Sequence, residues 1–254
     1  LDAEINKVDL NKEIVDIQSI KLTESDAEVL FDKLEKRKKT ENKSEKPSSN
    51  NWVVSAKDIN INETKIWYKD DNQARLKGFD YFNIKIPAVN AAMENLFYSQ
   101  DSISGNLKNL TAKDHSGLEI KKMQGNFVYT NTGAEIKNLY AATNRSVLKD
   151  YIRISYPSLD AVSAKPEILY VNANIKKSHV DMRDIYYFAP FLDTMQVMKP
   201  LMNKKFNIDG KVIGKINDLN IPHVDFSTLS NTKVVASARI KGLPNVDKMT
   251  IDLN

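Results

Sequence analysis

The stretch FNIDGKVIGKI, Phe206 to Ile216, sets an apolar residue or a glycine at every second position, with polar residues in all but one of the gaps. Successive side chains of an extended chain point to opposite faces. Phe206, Ile208, Gly210, Val212, Gly214 and Ile216 therefore share one side of a strand. One apolar and one solvated face is the mark of an antiparallel sheet.

The same period runs outward through the chain. Ile59 and Ile61 oppose Asp58, Asn60 and Asn62, while Phe82, Ile84 and Ile86 oppose Tyr81, Asn83 and Lys85. Leu169, Val171, Ala173 and Ile175 repeat it, then Val234, Ala236, Ala238 and Ile240, then Met249, Ile251 and Leu253. KDININETKIWYKDD, Lys57 to Asp71, reads as two strands joined around Asn62-Glu63, with Ile66 inward and Trp67 at an edge or outer contact. PAVNAAMENLFYS, Pro87 to Ser99, reads as a strand with Val89, Ala91, Met93, Asn95 and Phe97 on one face. The chain has 26 Asn against 8 Gly. Asn tolerates turn conformations and offers amide groups on a solvated sheet face. Many short strands joined by Asn, Asp and Ser turns predict an all-β chain.

A loose strand-turn-strand unit recurs in GNLKNLTAKDHSGLEI (Gly105–Ile120), AEIKNLYAATNRSVLKDYIRI (Ala134–Ile154) and GKINDLNIPHVDFSTL (Gly214–Leu229). QSIKLTESDAEVLF reads as a further copy. The spacing is too irregular for a strict solenoid. DMRDIYYFAPFLDTMQVMKPLMNKKF, Asp181 to Phe206, departs from the pattern. Ile185, Phe188, Leu192, Met195 and Met198 fall three and four apart, which predicts one or two short amphipathic helices near 183–202, broken by Pro190 and Pro200.

The net charge of +4 has a local origin, since KLEKRKKTENKSEK, Lys33 to Lys46, carries seven Lys/Arg against three Glu. The remainder is neutral overall, which argues against a nucleic-acid-binding face spread over the fold. The run reads as a solvated polar loop, and the KPSSNN after it as a linker or long hairpin connection. Residues 1–32 are then the first strands, 33–51 the basic loop, and 52–254 one continuous repetitive β region. A first residue Leu1 in place of Met suggests a processed chain or a fragment of something longer.

Catalytic chemistry is sparse. With no cysteine, disulfides, Cys-ligated zinc and thiol nucleophiles are excluded. His115, His179 and His223 lie far apart and read as turn residues, so neither a metal nor a cofactor is expected. Asp114, His115 and Ser116 are adjacent, but neighbouring residues point in different directions and no Gly-x-Ser-x-Gly elbow is present. Tyr68, Tyr98, Tyr129, Tyr140, Tyr151, Tyr156 and Tyr170 recur along the strands, either as cross-strand packing or as contacts to an amphiphilic ligand.

FDYFNIKI, then LFYSQDSISGNLKNLTAKDHSGLEIKKM, then AEIKNLYAATNRSVLKDYIRISYPSL, resembles the early periplasmic part of TamB and AsmA-like proteins, the DUF490 family, in its Bacteroidota-type form. IKKSHVDMRDIYYFAPFL, FNIDGKVIGKINDLNI and ARIKGLPNV continue the likeness in the same order, over roughly Val53 to Asn254. The resemblance implies an elongated curved antiparallel sheet, a β-taco whose concave groove is apolar. It implies a periplasm-spanning, non-enzymatic lipid-transfer protein working with an Omp85-type outer-membrane barrel and anchored in the inner membrane through a missing amino-terminal segment. Phospholipid is the implied cargo. The groove positions are then the alternation residues Ile59, Ile61, Ile66, Ile84, Ile86, Leu169, Val171, Ile175, Phe206, Ile208, Val212, Ile216, Val234, Ile240 and Ile251. The alternatives are an outer-membrane assembly factor acting by strand addition and a carbohydrate-active β-helix enzyme.

Overall fold

The computed structural model describes residues 1–33, 51–158, 161–162, 165–188, 190, 192, 196–228 and 233–254. Apart from Lys33 and Asn51, the basic loop and the linker lie outside the described residues.

The alternating segments all become strands: β1 (Asp2–Asp9), β2 (Ile14–Thr23), β3 (Asp26–Phe31), β4 (Val53–Asp70), β5 (Asn83–Tyr98), β6 (Ser102–Lys113) and β7 (Glu119–Thr130). They continue as β8 (Gly133–Thr143), β9 (Val147–Ser155), β10 (Tyr170–Asp181), β11 (Lys205–Lys215), β12 (Asp218–Thr228), β13 (Lys233–Lys241) and β14 (Thr250–Leu253). All 14 belong to a single sheet in the order β1-β2-β4 through to β14, with β3 beside β4. At the usual strand spacing of about 4.8 Å, this path is about 60 Å long. The sheet stays open, with β1 and β14 at its two ends.

From β4 onward every neighbour is antiparallel and follows directly in sequence. β2 and β3 are the exception, pairing in parallel with successive halves of the same edge of β4. QSIKLTESDAEVLF is therefore not a strand-turn-strand unit. Its two strands run on in one direction, with Glu24 (φ 48) between them. β3 and β4 pair in parallel and so do not form a hairpin.

Several strands carry a β-bulge, where residues on the apolar face fall three apart in place of two. Ile17 to Ile20, Ile61 to Thr64, Leu107 to Leu110, Ile136 to Leu139 and Ile175 to Ser178 are such steps, each beside a register shift or a skipped pair. The extra residue restores the alternation beyond it and bends the strand. Glu63 (φ 47), Asn138 (φ 53) and Lys177 (φ 44) take the left-handed conformation at these points, as does Asn95 (φ 52) at the register shift between Glu94 and Phe97 of β5. Two expectations are corrected here. Asn62-Glu63 does not separate two strands; it is a bulge inside β4, where the Glu63 N–H donates to Asn90 Oδ1 at 3.0 Å. In β5, Asn95 is exposed and Leu96 returns to the apolar side, whereas Phe97 pairs with Ser55 and Ser104 on the other side.

The break in periodicity after β10 is a helix, Met182–Phe188, followed by a 3-10 turn, Gln196–Leu201. Pro190 lies beyond the helix, as a chain breaker should. Pro200 does not end the second element but sits inside it. Met195 lies outside the described residues, as does the side chain of Met198.

The chain exposes 16767 Å², whereas a compact monomer of 28.8 kDa exposes about 11,000 Å². Such an excess is what an open, single-layered sheet produces, and among the described residues no second layer covers most of its apolar face.

Candidate functional site

Directly paired residues in adjacent strands project from the same face. One such row crosses the whole sheet: Val8, Val15, Val54, Tyr98, Ile103, Tyr129, Ala134, Ile154, Val171, Gly214, Leu219, Ile240 and Ile251. Thirteen strands contribute to it without one charge. The row one residue along, on the opposite face, reads Lys7, Asp16, Ser55, Phe97, Ser104, Val128, Glu135, Arg153, Asn172, Ile213, Asn220, Arg239 and Asp252. Ion pairs such as Arg239 with Asp218 and Arg153 with Glu135 run along that solvated side.

The expected groove positions all fall on the apolar face. Val171, Ile240 and Ile251 are in the row itself. Val212 pairs with Ala173, Ile208 with Ser178, Phe206 with Val180 and Ile175 with Gly210. Ile59 pairs with Met93, Ile61 with Ala91 and Ile66 with Ile86, and Ile84 pairs with Tyr68. Val234 pairs with Phe226. Leu169 and Ile216 continue the alternation just beyond the ends of β10 and β11, where the Ile216 N–H donates to the Leu169 carbonyl at 2.9 Å. Their cover is uneven: Phe206 is 4% exposed, but Val234 is 45% and Ile251 51% exposed. Trp67 faces outward, with the Lys85 ammonium 4.8 Å from its ring.

The tyrosines divide between the faces. Tyr98 and Tyr129 stand in the apolar row, and Tyr156 is buried just beyond Ile154. Tyr140, under the ammonium groups of Lys122 and Lys149, and Tyr151, donating to Glu135 at 3.1 Å, serve the solvated face.

The helix Met182–Phe188 closes part of the apolar face at one rim. Asp181 caps it, accepting the Arg183 N–H at 3.0 Å as an N-cap carboxylate does. In the first turn, Asp184 gathers the hairpin turn between β8 and β9. It accepts from the Thr143 hydroxyl, from the Ser146 hydroxyl at 2.6 Å and from Arg145 at 3.0 Å. Ser146 also takes the Asp181 N–H at 3.0 Å. At the far end, the Phe79 N–H donates to the Tyr187 carbonyl at 2.7 Å, and the Phe79 and Phe188 rings lie 5.8 Å apart. Gly78 (φ +86) permits this approach, since a Cβ there would sit 2.5 Å from the Tyr187 oxygen.

Apart from Phe188, which the helical spacing picked out, none of these anchors was singled out from sequence. Thr143, Arg145 and Ser146 read as an ordinary polar turn, and no local signal ties them to a carboxylate some forty residues away.

Between helix and sheet lies a cavity of about 230 Å³, walled by Ile120, Met123, Ala141, Leu148, Val180 and Ile185 and flanked by Phe188. Asp114, by contrast, organises a turn. It accepts the Ser116 N–H at 2.8 Å and the Lys85 N–H at 2.9 Å, and its Oδ1 lies 3.1 Å from His115 Nδ1. Burial pushes its carboxyl up, but hydrogen bonds from Ser116, Lys85 and His115 outweigh this and hold it below the ordinary range. Among the described residues, no group of three or more His, Asp or Glu is placed to hold a metal ion.

Asp181 has no exposed side-chain surface, and Arg183 grips it with two charge-assisted bonds at 2.8 and 2.6 Å. These bonds hold its carboxyl below the ordinary 3.8. A folded-state value below the unfolded one stabilises the fold above pH 3.8, and that contribution is lost as the pH falls through the folded value. Urea denaturation should therefore show a stability gap between the parent and Asp181→Asn that narrows as the pH falls below 3.8. A gap independent of pH would contradict this role for the pair.

Comparison with family models, with curated proteins and with solved structures finds no match to this chain.

Proposed function

We propose that the apolar face is a lipid-binding trough, in which the acyl chains of phospholipids take the place of the missing second layer. The observation that carries this reading is the uncharged row from Val8 to Ile251, set on an open sheet. A sheet ordinarily buries its apolar face against helices or another sheet. Hydrocarbon serves equally well, each buried methylene contributing about 0.8 kcal/mol. Such contact is non-directional, so it asks for no particular side chain, and the mixture of Ile, Val, Leu, Ala, Gly and Tyr fits it. On this reading the chain acts as a non-enzymatic conduit. Its likeness in sequence to TamB and AsmA-like proteins extends the proposal to a periplasmic bridge between inner and outer membranes, with an Omp85-type barrel as partner.

Purification from a bacterial host followed by lipid extraction tests the trough. Phospholipid should accompany the parent chain and fall at least about tenfold in Val212→Asp, which buries a charge among hydrocarbon. Asn172→Asp, on the solvated face, should retain it. A lipid-free parent, or equal lipid in Val212→Asp with the circular dichroism of the parent, would overturn the proposal.

A second reading rests on the edge of β13. There β14 pairs only with the later part of the strand, up to the Ser237–Asn254 bonds. The earlier part, from Lys233, offers backbone donors and acceptors to an incoming strand, which supports an assembly role by strand addition. Crosslinks from Val235 to a barrel strand, in place of lipid, would favour it.

A further inference from the structure

We propose that the cavity beneath the helix Met182–Phe188 receives the terminal segment of one phospholipid acyl chain, making the helix a chain-end stop at one rim of the trough. The inference rests on the trough reading and adds a defined seat within it. Three observations lead there.

The first is the chemistry of the wall. Ile120, Met123, Ala141, Leu148, Val180 and Ile185 present hydrocarbon and a thioether. The polar side chains at the margin, Thr143, Ser146 and Asp184, are already bonded to one another. Nothing remains there to recognise a polar ligand, and a water molecule would find too few of the two to four partners it needs.

The second is size. An apolar cavity of about 150 Å³ is known to hold a benzene molecule. A cavity of about 230 Å³ therefore suits the end of a single chain and excludes a two-tailed lipid with its headgroup.

The third is continuity. Met123, Ala141 and Leu148 are directly paired across β7, β8 and β9, and they belong to the same apolar face as the row that crosses the sheet. Phe188, 65% exposed, offers an aromatic flank. A chain lying in the trough can thus run its end under the helix along β7 and β8, past Phe127, Ile136, Gly125 and Leu139. Enclosure by the helix removes more of that end from water than the open face does, so the terminal methylenes settle there first.

Because the chain lacks cysteine, single thiols report occupancy cleanly. The probe is one equivalent of a palmitoyl lysophosphatidylcholine, which supplies one chain and one headgroup. In Leu148→Cys, thiol alkylation should slow about tenfold when the probe is added. In Val234→Cys, far along the sheet, it should slow less than twofold. Adding Ala141→Phe to Leu148→Cys fills the cavity and should abolish the protection. Equal slowing at both thiols, or protection that survives Ala141→Phe, would overturn the chain-end seat while leaving the trough intact. No slowing at either thiol, even at excess lipid, would overturn both.

Discussion

Replacing Asp184 with alanine is expected to release the helix Met182–Phe188 from the sheet at a cost of about 3 kcal/mol. The carboxylate is 6% exposed and accepts from Thr143, Arg145 and Ser146 together. Its removal leaves the half-buried Thr143 and buried Ser146 hydroxyls without their acceptor and the Arg145 guanidinium without its counter-ion. Leaving a buried polar group unpaired is costlier than never having had the pair. The loss should be local, since the helix contacts β10 and the turns at one rim rather than the body of the sheet. Hydrogen exchange is the suitable readout. Amides of the helix and of the Thr143–Ser146 turn should exchange about 100-fold faster, with those of β12 unchanged. Asp184→Asn keeps an acceptor for the hydroxyls and should lose about half as much. Unaltered exchange in the alanine variant would remove the carboxylate from its central place in the cap.

Gly214→Val is expected to destabilise the chain by about 3 kcal/mol, and here the damage falls on the apolar face of the sheet. Gly214 has φ +135, a conformation L side chains rarely adopt, and a Cβ would lie 2.3 Å from the Asp218 carbonyl oxygen. That oxygen belongs to the neighbouring strand's first residue, so the β11–β12 hairpin must open to admit the side chain. Glycine at this point is part of the apolar row between Val171 and Leu219. A urea midpoint within error of the parent would show that the hairpin adapts freely. Valine is otherwise a favoured strand residue, which makes the expected sign a test of backbone geometry rather than of propensity.

The faces of the strands were legible because alternation is a local property. FNIDGKVIGKI needs no partner to reveal which side is apolar, and every groove position named from such runs lies on the same face of the sheet. The bulges were less visible. Glu63, Asn95 and Lys177 share no residue type, and a step of three looks like an interruption until the paired strand shows that alternation resumes. Hence the misplacement of Phe97, on the wrong side of Asn95. The parallel pairing of β2 and β3 with β4 was hidden for another reason. Alternation identifies a strand's face but not its direction relative to a neighbour. The helix cap was the least legible, because Asp184 meets Thr143 and Ser146 only through the folded sheet.

Among the described residues, the principal contacts of each strand are with the strands beside it. The protein is therefore close to a one-dimensional array, with stability assembled from neighbouring interfaces. Such an array has a tunable length. Inserting one more hairpin between existing ones would extend the sheet by about 10 Å and disturb only the junction where it enters. The length of the sheet becomes a quantity that duplication can adjust in small increments, independently of what covers its apolar face.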